Sequence, residues 1–299
     1  MSKNLKGSLL AILGASLWGL MGVPVRALTE AGLSGYDISF IRCLLAGCAF
    51  LVLRIFTKPE ILKVSIKGLL ISFMYGAIAY SVSFVSYNEA VSRVPVAVAT
   101  VLMFMSPIWV SILGVLVFKE KVTKKQLISI VVCFIGAVLV SNILMVGEVK
   151  LDFIGLICGV INGFGVALQI MIPRYFSKDY DKETLLVYGF LGAALALVPF
   201  TEFHNIPLAF QNGRIGSVII DMFVIGVLCT MVANVSFVLS SNYISTTTSG
   251  ILSALEVVVS AIVGLIVFSE KLTVMQIVGA VVVIVGALLP SLIKKKEVI

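Results

Sequence analysis

SPIWVSILGVLVFKEKVTKKQLISIVVCFIGAVLV, residues 106–140, is met twice in this chain: residues 256–290, an offset of 150, read EVVVSAIVGLIVFSEKLTVMQIVGAVVVIVGALLP. Ile112, Gly114, Phe118, Glu120, Lys121, Thr123, Gln126, Gly136 and Ala137 all meet identical residues in the second copy. A repeat at about half the chain length means two homologous halves, and that constrains the fold before any helix is drawn. The differences are as informative. Lys119, Lys124 and Lys125 become Ser269, Val274 and Met275. Such a loss of charge is expected if the second turn faces away from a cytoplasm beside which Lys and Arg concentrate.

Composition sets the environment. Of 299 residues 60% are hydrophobic and 12% charged, against about 45–50% apolar and about 25% charged in soluble domains. The apolar residues come in runs of about twenty, the length a helix needs to cross roughly 30 Å of hydrocarbon. Lys3 and Lys6 precede such a run, which is too long for a cleavable signal and is followed by further spans. The net charge of +7 is spread between the apolar runs, so it points to anionic lipid headgroups and not to nucleic acid. Cys43, Cys48, Cys133, Cys158 and Cys229 lie inside apolar runs without a C-x-x-C or a nearby histidine, and read as packing residues. His204, the single histidine, falls in a loop.

Ten spans can be drawn, at 7–28, 37–56, 67–88, 94–118, 124–142, 153–175, 184–203, 217–240, 246–268 and 273–293. With both termini cytoplasmic, sixteen of the 22 Lys and Arg residues fall inside, and Arg26, Arg42, Arg93, Lys150, Arg214 and Lys271 fall outside. That asymmetry sets the orientation in the inner cell membrane. Five spans per half is an odd number, so halves 7–142 and 153–293 enter the membrane in opposite senses, joined by an outer loop at 147–152. The expected fold is an all-α membrane protein, ten transmembrane helices in two inverted five-helix repeats, an arrangement typical of transporters. Fainter echoes agree: Gly7 and Arg26 of the first span match Gly155 and Arg174 of the sixth at an offset of 148, and 87–105 aligns with 237–255. The longest connection, 204–216, holds Pro207 and Asn212-Gly213, which favour turns.

Three stretches carry a resemblance: YNEAVSRVPVAVATVLMFMSP at 87–107, the FKEKVT and FSEKLT turns at 118–123 and 268–273, and Leu255-Glu256 in the ninth span. In this order and spacing the chain resembles the EamA-type branch of the drug/metabolite transporter superfamily. The resemblance implies ten helices, a central cavity lined by spans 1, 3, 4, 6, 8 and 9, alternating access, and transport of small metabolites, often amino-acid export. One departure stands out. Val257 follows Glu256 where the family often has proline, which removes the usual cause of a kink; Pro107 occupies the matching place in the first half.

Several side chains are candidates for the cavity. Glu256 lies midway along its span, where an ionised carboxylate costs about 2.5–3.5 kcal/mol on insertion scales. It therefore needs a partner, water or a proton, and is a candidate for proton coupling or for binding a substrate amine; a hydrogen-bonded link between helices is the alternative. Ser249, Ser253, Glu256 and Ser260 share one helical face. Phe73, Tyr80, Phe84 and Tyr87 recur at helical spacing with Asn88 beside them, and Trp18 sits between Gly14 and Gly22. Asn162 and Gln169 of the sixth span line up away from the Gly155, Gly159 and Gly163 ladder, which suits close helix contact. Asn234, Phe237 and Ser241 repeat along the eighth. Packing remains the alternative for each. Arg42 lies about five residues, roughly 7 Å, from the outer edge of its span, so snorkelling accounts for it; Arg26 and Glu89 also fall at outer ends, where the three could form a latch.

These candidates include one acid and no Lys or Arg at mid-depth, which disfavours phosphorylated solutes. A neutral or zwitterionic metabolite, such as an amino acid with an apolar or aromatic side chain, fits better. No cofactor or metal site is implied, no catalytic residue is assigned, and no Ser-His pair or H-E-x-x-H motif supports a membrane-embedded enzyme. A lipid or lipid-carrier flippase of the same fold is the nearer rival. The partners expected are a small-molecule substrate and the bilayer, and a homodimer is compatible with the sequence.

Overall fold

Hydrocarbon offers no partner for backbone N–H and C=O groups, so a chain this apolar crosses it as helices whose hydrogen bonds close internally. The computed structural model describes residues 3–143, 152–212 and 215–289, and helix is the only regular structure among them. Most of the expected outer loop at 147–152, Lys150, the 213–214 pair and the lysines at 294–296 lie outside the described residues. Eight helices are long and apolar enough to span a membrane: α1 (Lys3–Glu30), α2 (Gly35–Thr57), α3 (Ile66–Arg93), α4 (Val96–Phe118), α6 (Phe153–Lys178), α7 (Lys182–Phe200), α9 (Ile215–Ser240) and α10 (Thr246–Val267). Two shorter helices, α5 (Lys124–Val140) and α11 (Val274–Leu288), have 17 and 15 residues. A short α8 (Asn205–Asn212) occupies the longest connection.

The repeated turns have a local cause. Lys119 and Ser269 both adopt left-handed backbone at φ 53°, a conformation costing roughly 1–2 kcal/mol for a residue with a Cβ. It lets the amides of Glu120 and Glu270 turn back to the carbonyls of Gly114 and Gly264, at 3.0 and 3.1 Å. Thr123 then caps α5 and Thr273 caps α11, each in a capping box closed by Gln126 or Gln276. The threonine accepts from the third helical amide while the glutamine accepts from the threonine's own N–H, satisfying two donors that a helix start leaves open.

α4 is interrupted at Phe104–Met105, just before Pro107, and α10 is interrupted at Ala254. A break in α10 was not expected, because Val257 stands in place of proline. Its cause is Ser253, whose hydroxyl donates to the Gly250 carbonyl at 2.7 Å, the acceptor that the Ala254 amide would otherwise take. Ala254 N bonds Ile251 O instead, at 3.2 Å, and the ladder tightens by one residue. Wide π-helical turns also occur in both halves, at Gly76–Ser81 and Val224–Val232. In the second, Thr230 donates back five residues to Ile225 O at 2.7 Å; in the first, Ser81 donates to Ala193 O of α7 at 2.9 Å.

Small residues set the helix pairing. α5 and α11 cross where Gly136 lies against Val283 and Gly279, and Gly286 against Cys133. Cys133 Sγ also donates to Val283 O at 3.7 Å. Contacts advance along one helix as they retreat along the other, so the pair is antiparallel. α1 meets α9 through Gly14 against Phe237 and the turn after α9 through Gly7 against Tyr243, and α6 meets α3 through Gly155 against Arg93 and Gly165 against Ser83. The glycine ladder of α6 does serve close contact, with Gly159 and Gly163 both against Leu102 of α4.

A Cβ at Gly136 would come within 2.6 Å of Val283 Cγ2 and 2.8 Å of its amide, so Gly136→Leu is expected to destabilise the protein by about 1–3 kcal/mol through overpacking. Gly22, with nothing within 4 Å of its Cβ position, should tolerate alanine. Thermal unfolding of both variants in detergent checks this; equal midpoints for the two would contradict the seam.

Candidate functional site

The π-helical turns bring polar side chains from four helices into one interior network. Tyr75 donates to Gln169 O at 2.8 Å and lies 3.1 Å from the Tyr80 hydroxyl. Tyr80 in turn donates to Asn234 Oδ1 at 3.0 Å, and Asn234 Nδ2 to Thr230 O at 2.8 Å. Thr230 Oγ1 accepts from Arg42 Nε at 2.9 Å. The Arg42 guanidinium stacks over the Phe84 ring, 4.5 Å from its centroid. Arg42 is 8% exposed, so it does not snorkel outward as its place in the sequence suggested. It turns inward because Thr230 and Phe84 give it a partner and a face there. Glu256 lies within electrostatic reach of Arg42 and Tyr87 and keeps partial exposure.

The other candidates separate by what they touch. Tyr87, Phe84, Asn88 and Ser253 are half-buried. Asn162 is buried and donates to Ser83 O at 2.9 Å, and buried Gln169 donates to Ala79 O at 3.2 Å. Both amides join α6 to α3 by donating to its backbone carbonyls. Phe237 is fully buried against Trp18, ring centroids 4.8 Å apart, so this pair fills the α1–α9 crossing. Ser249 pairs with Ser240 at 2.9 Å, whereas Ser260 is exposed; the break at Ala254 removes it from the polar stripe. Arg26, Arg42 and Glu89 form no common latch. Glu89 accepts from Tyr36 at 2.6 Å and pairs with Arg93.

A second arrangement joins the repeated turns to the ends of α1 and α6. Arg174 pairs with Glu120 and stacks over Phe118, and Arg26 pairs with Glu270 and stacks over Phe268, both rings at 4.5 Å. Arg26 and Arg174 are the residues matched between first and sixth spans, and Glu120 and Glu270 are matched between the turns. The two clamps differ in strength. Arg174 also donates to Thr246 Oγ1 at 2.6 Å, and Thr247 Oγ1 donates to Glu120 Oε2 at 3.1 Å. Val96 and Ala97 stand at the corresponding places in the first half and carry no hydroxyl. Side-chain exposure is 25% and 12% for Arg174 and Glu120, against 53% and 58% for Arg26 and Glu270.

A family model described as the EamA-like transporter family matches residues 5–142 and again 153–292. The chain belongs to the EamA-like transporter family. It is 28% identical to an uncharacterized transporter of Archaeoglobus fulgidus over 95% of each chain. With the uncharacterized inner membrane transporter YicL of Salmonella typhimurium it shares 23% identity over 99% of each. A solved crystal structure superposes with a TM-score of 0.80 over 96% of both chains at 12% identity, a likeness of fold. This EamA-like protein is thus a multi-pass membrane transporter.

Burial alone would raise the Glu120 carboxyl, but the hydrogen bond and charge of Arg174 and the Thr246 donors outweigh it and hold it below the usual carboxylate range. A depressed folded value means the clamp's stabilisation is present above about pH 4.3 and is lost as pH falls further. Glu120→Gln should cost about 1–3 kcal/mol near neutrality, and the gap from wild type should close as the pH falls below about 4.3. Glu270→Gln, on the exposed clamp, should cost less than about 1 kcal/mol. Unfolding midpoints measured from pH 7 to 3 decide this; equal costs for the two variants would contradict the asymmetry.

Proposed function

We propose that this protein is a secondary transporter that exports small neutral or zwitterionic metabolites, amino acids among them, by alternating access. In this reading α5 and α11 also cross the membrane, giving ten helices in two inverted halves, 7–142 and 153–293, with both termini cytoplasmic. The observation that carries it is the exchange of equivalent contacts between halves. Gly7 against Tyr243 is matched by Gly155 against Arg93, and Gly136 against Val283 by Gly286 against Cys133. α6 packs antiparallel to α3, and with α3 entering the membrane in the same sense as α1, two reversals later, this supports opposite senses for the equivalent helices α1 and α6. In this reading the Arg26 and Arg174 clamps close opposite ends of the bundle, as two gates of one pathway require.

The tight Glu120 clamp and the loose Glu270 clamp support a state closed at the cytoplasmic end. In this reading rocking the halves about their common axis exchanges the two conditions, with Glu256 as the coupling residue. Transport of this kind involves no catalytic step and no cofactor. A second reading, a lipid flippase, is favoured by one feature. An apolar groove of about 510 Å³ between α3 and α6 is lined by Leu70, Met74, Ile78, Ile172 and Phe176, with Lys67 at one end and Tyr75 of the polar network in its wall.

Counterflow of labelled amino acids in proteoliposomes tests the leading reading. Uptake accelerated by a pH gradient is expected in wild type, with the acceleration lost in Glu256→Gln. A Glu256→Gln protein that still responds removes the proton role; wild type that moves no amino acid but scrambles labelled lipid favours the groove.

A further inference from the structure

α3 and α6 do not pack evenly along their length. Gly155 and Gly165 bring them together over one part of the crossing, and beyond it the groove of about 510 Å³ opens between them. On the α3 side Leu70, Met74 and Ile78 stand at intervals of four, on one helical face, and on the α6 side Ile172 and Phe176 repeat that interval. Leu70 is 60% exposed and Met74 56%, so the groove opens sideways, toward the acyl chains of a bilayer. Its floor is firm. Tyr75 is buried there, and its hydroxyl is committed to Gln169 O at 2.8 Å and to the Tyr80 hydroxyl at 3.1 Å. A polar solute would find no free hydrogen-bonding group along this wall, whereas a hydrocarbon chain needs none.

Length and charge narrow the occupant further. From Lys67 to Ile78 the wall runs about 17 Å at 1.5 Å per residue, close to the roughly 15 Å that one leaflet contributes to about 30 Å of hydrocarbon. Lys67 is the charged residue of the lining and stands at the end of that run. It is exposed, and no ion pair among the described residues engages it. A lysine so placed lays its stem along apolar wall and holds its ammonium at headgroup depth. Lys63 and Lys178 are exposed close by in the chain, with Asp179 the acid beside them. The apolar helix of a second copy would fill the groove but give Lys67 no counter-charge.

We propose that the α3–α6 groove is a binding site for one anionic phospholipid, an acyl chain lying along Leu70, Met74 and Ile78 and the phosphate meeting Lys67. The lipid is a resident of the helix crossing. Its binding is read without transport, so it stands or falls separately from amino-acid counterflow.

Native mass spectrometry of the purified protein tests the site, with titration by phosphatidylglycerol and, separately, by phosphatidylcholine carrying the same chains. The first phosphatidylglycerol should bind about fivefold or more tightly than the first phosphatidylcholine. Lys67→Gln should bring that ratio close to one, and Lys67→Arg should keep it. Lys124→Gln, which removes an exposed lysine outside the groove, should also keep it. Met74→Trp fills the groove from an exposed position and should remove the tight first site for both lipids, with the unfolding midpoint confirming that each variant is folded. Equal binding of the two lipids by wild type overturns the proposal, as does an unchanged ratio in Lys67→Gln or an equal drop in Lys124→Gln, which would mark a general surface field. Tight binding that survives Met74→Trp places the lipid elsewhere and also overturns it, as does a lipid-free dimer that Met74→Trp dissociates.

Discussion

Helices in hydrocarbon gain little from burying apolar surface against one another, because lipid tails are as apolar as leucine, so close van der Waals contact must hold them together. In this chain the contact is made by glycines at crossings between the two halves. Gly7, Gly14, Gly136, Gly155, Gly165, Gly279 and Gly286 each bring a helix of one half against backbone or Cβ atoms of the other. Replacing any of them by a larger residue pushes apart helices that also carry the polar network. The network in turn depends on distances that only small residues permit.

Those crossings explain where the polar side chains go. Gly165 against Ser83 brings Asn162 within reach of the Ser83 carbonyl, and the wide turn of α9 presents Thr230 to Arg42. Wide turns are often found at functional sites, and here they occur at matching places in the two halves. The halves share a backbone plan and differ in the side chains laid on it. Thr246 and Thr247 strengthen one clamp where Val96 and Ala97 leave the other bare, and that difference sets the two repeated turns apart.

Much of this was legible in the sequence. Apolar runs of helical length, the 150-residue repeat and the glycine spacing follow from rise, period and size, which are local properties. Facing was harder to read. In the sequence Arg42 reads as an outward snorkel because position along a span gives depth, whereas an almost wholly apolar helix has too few polar residues to show which side is inward. Asn162, Gln169 and Phe237 read as cavity candidates for the same reason, and their partners lie 79, 90 and more than 200 residues away in the chain. The break at Ala254 was hidden because it comes from a serine hydroxyl and not from proline. The clamps had a signal that went unjoined: Arg26 and Arg174 repeat, Glu120 and Glu270 repeat, and each arginine pairs with a glutamate of the other half.

The central claim is that two copies of one five-helix unit lie upside down relative to each other. Lys121 and Lys271 occupy the same place in the repeated turn, and both are exposed. Single cysteines at these positions, Lys121→Cys and Lys271→Cys, in a background without native cysteine can be labelled in intact cells with a membrane-impermeant maleimide. Labelling of the cysteine at 271 from outside, with that at 121 reached only after permeabilisation, is the result expected. Both positions labelled from the same side would contradict the account.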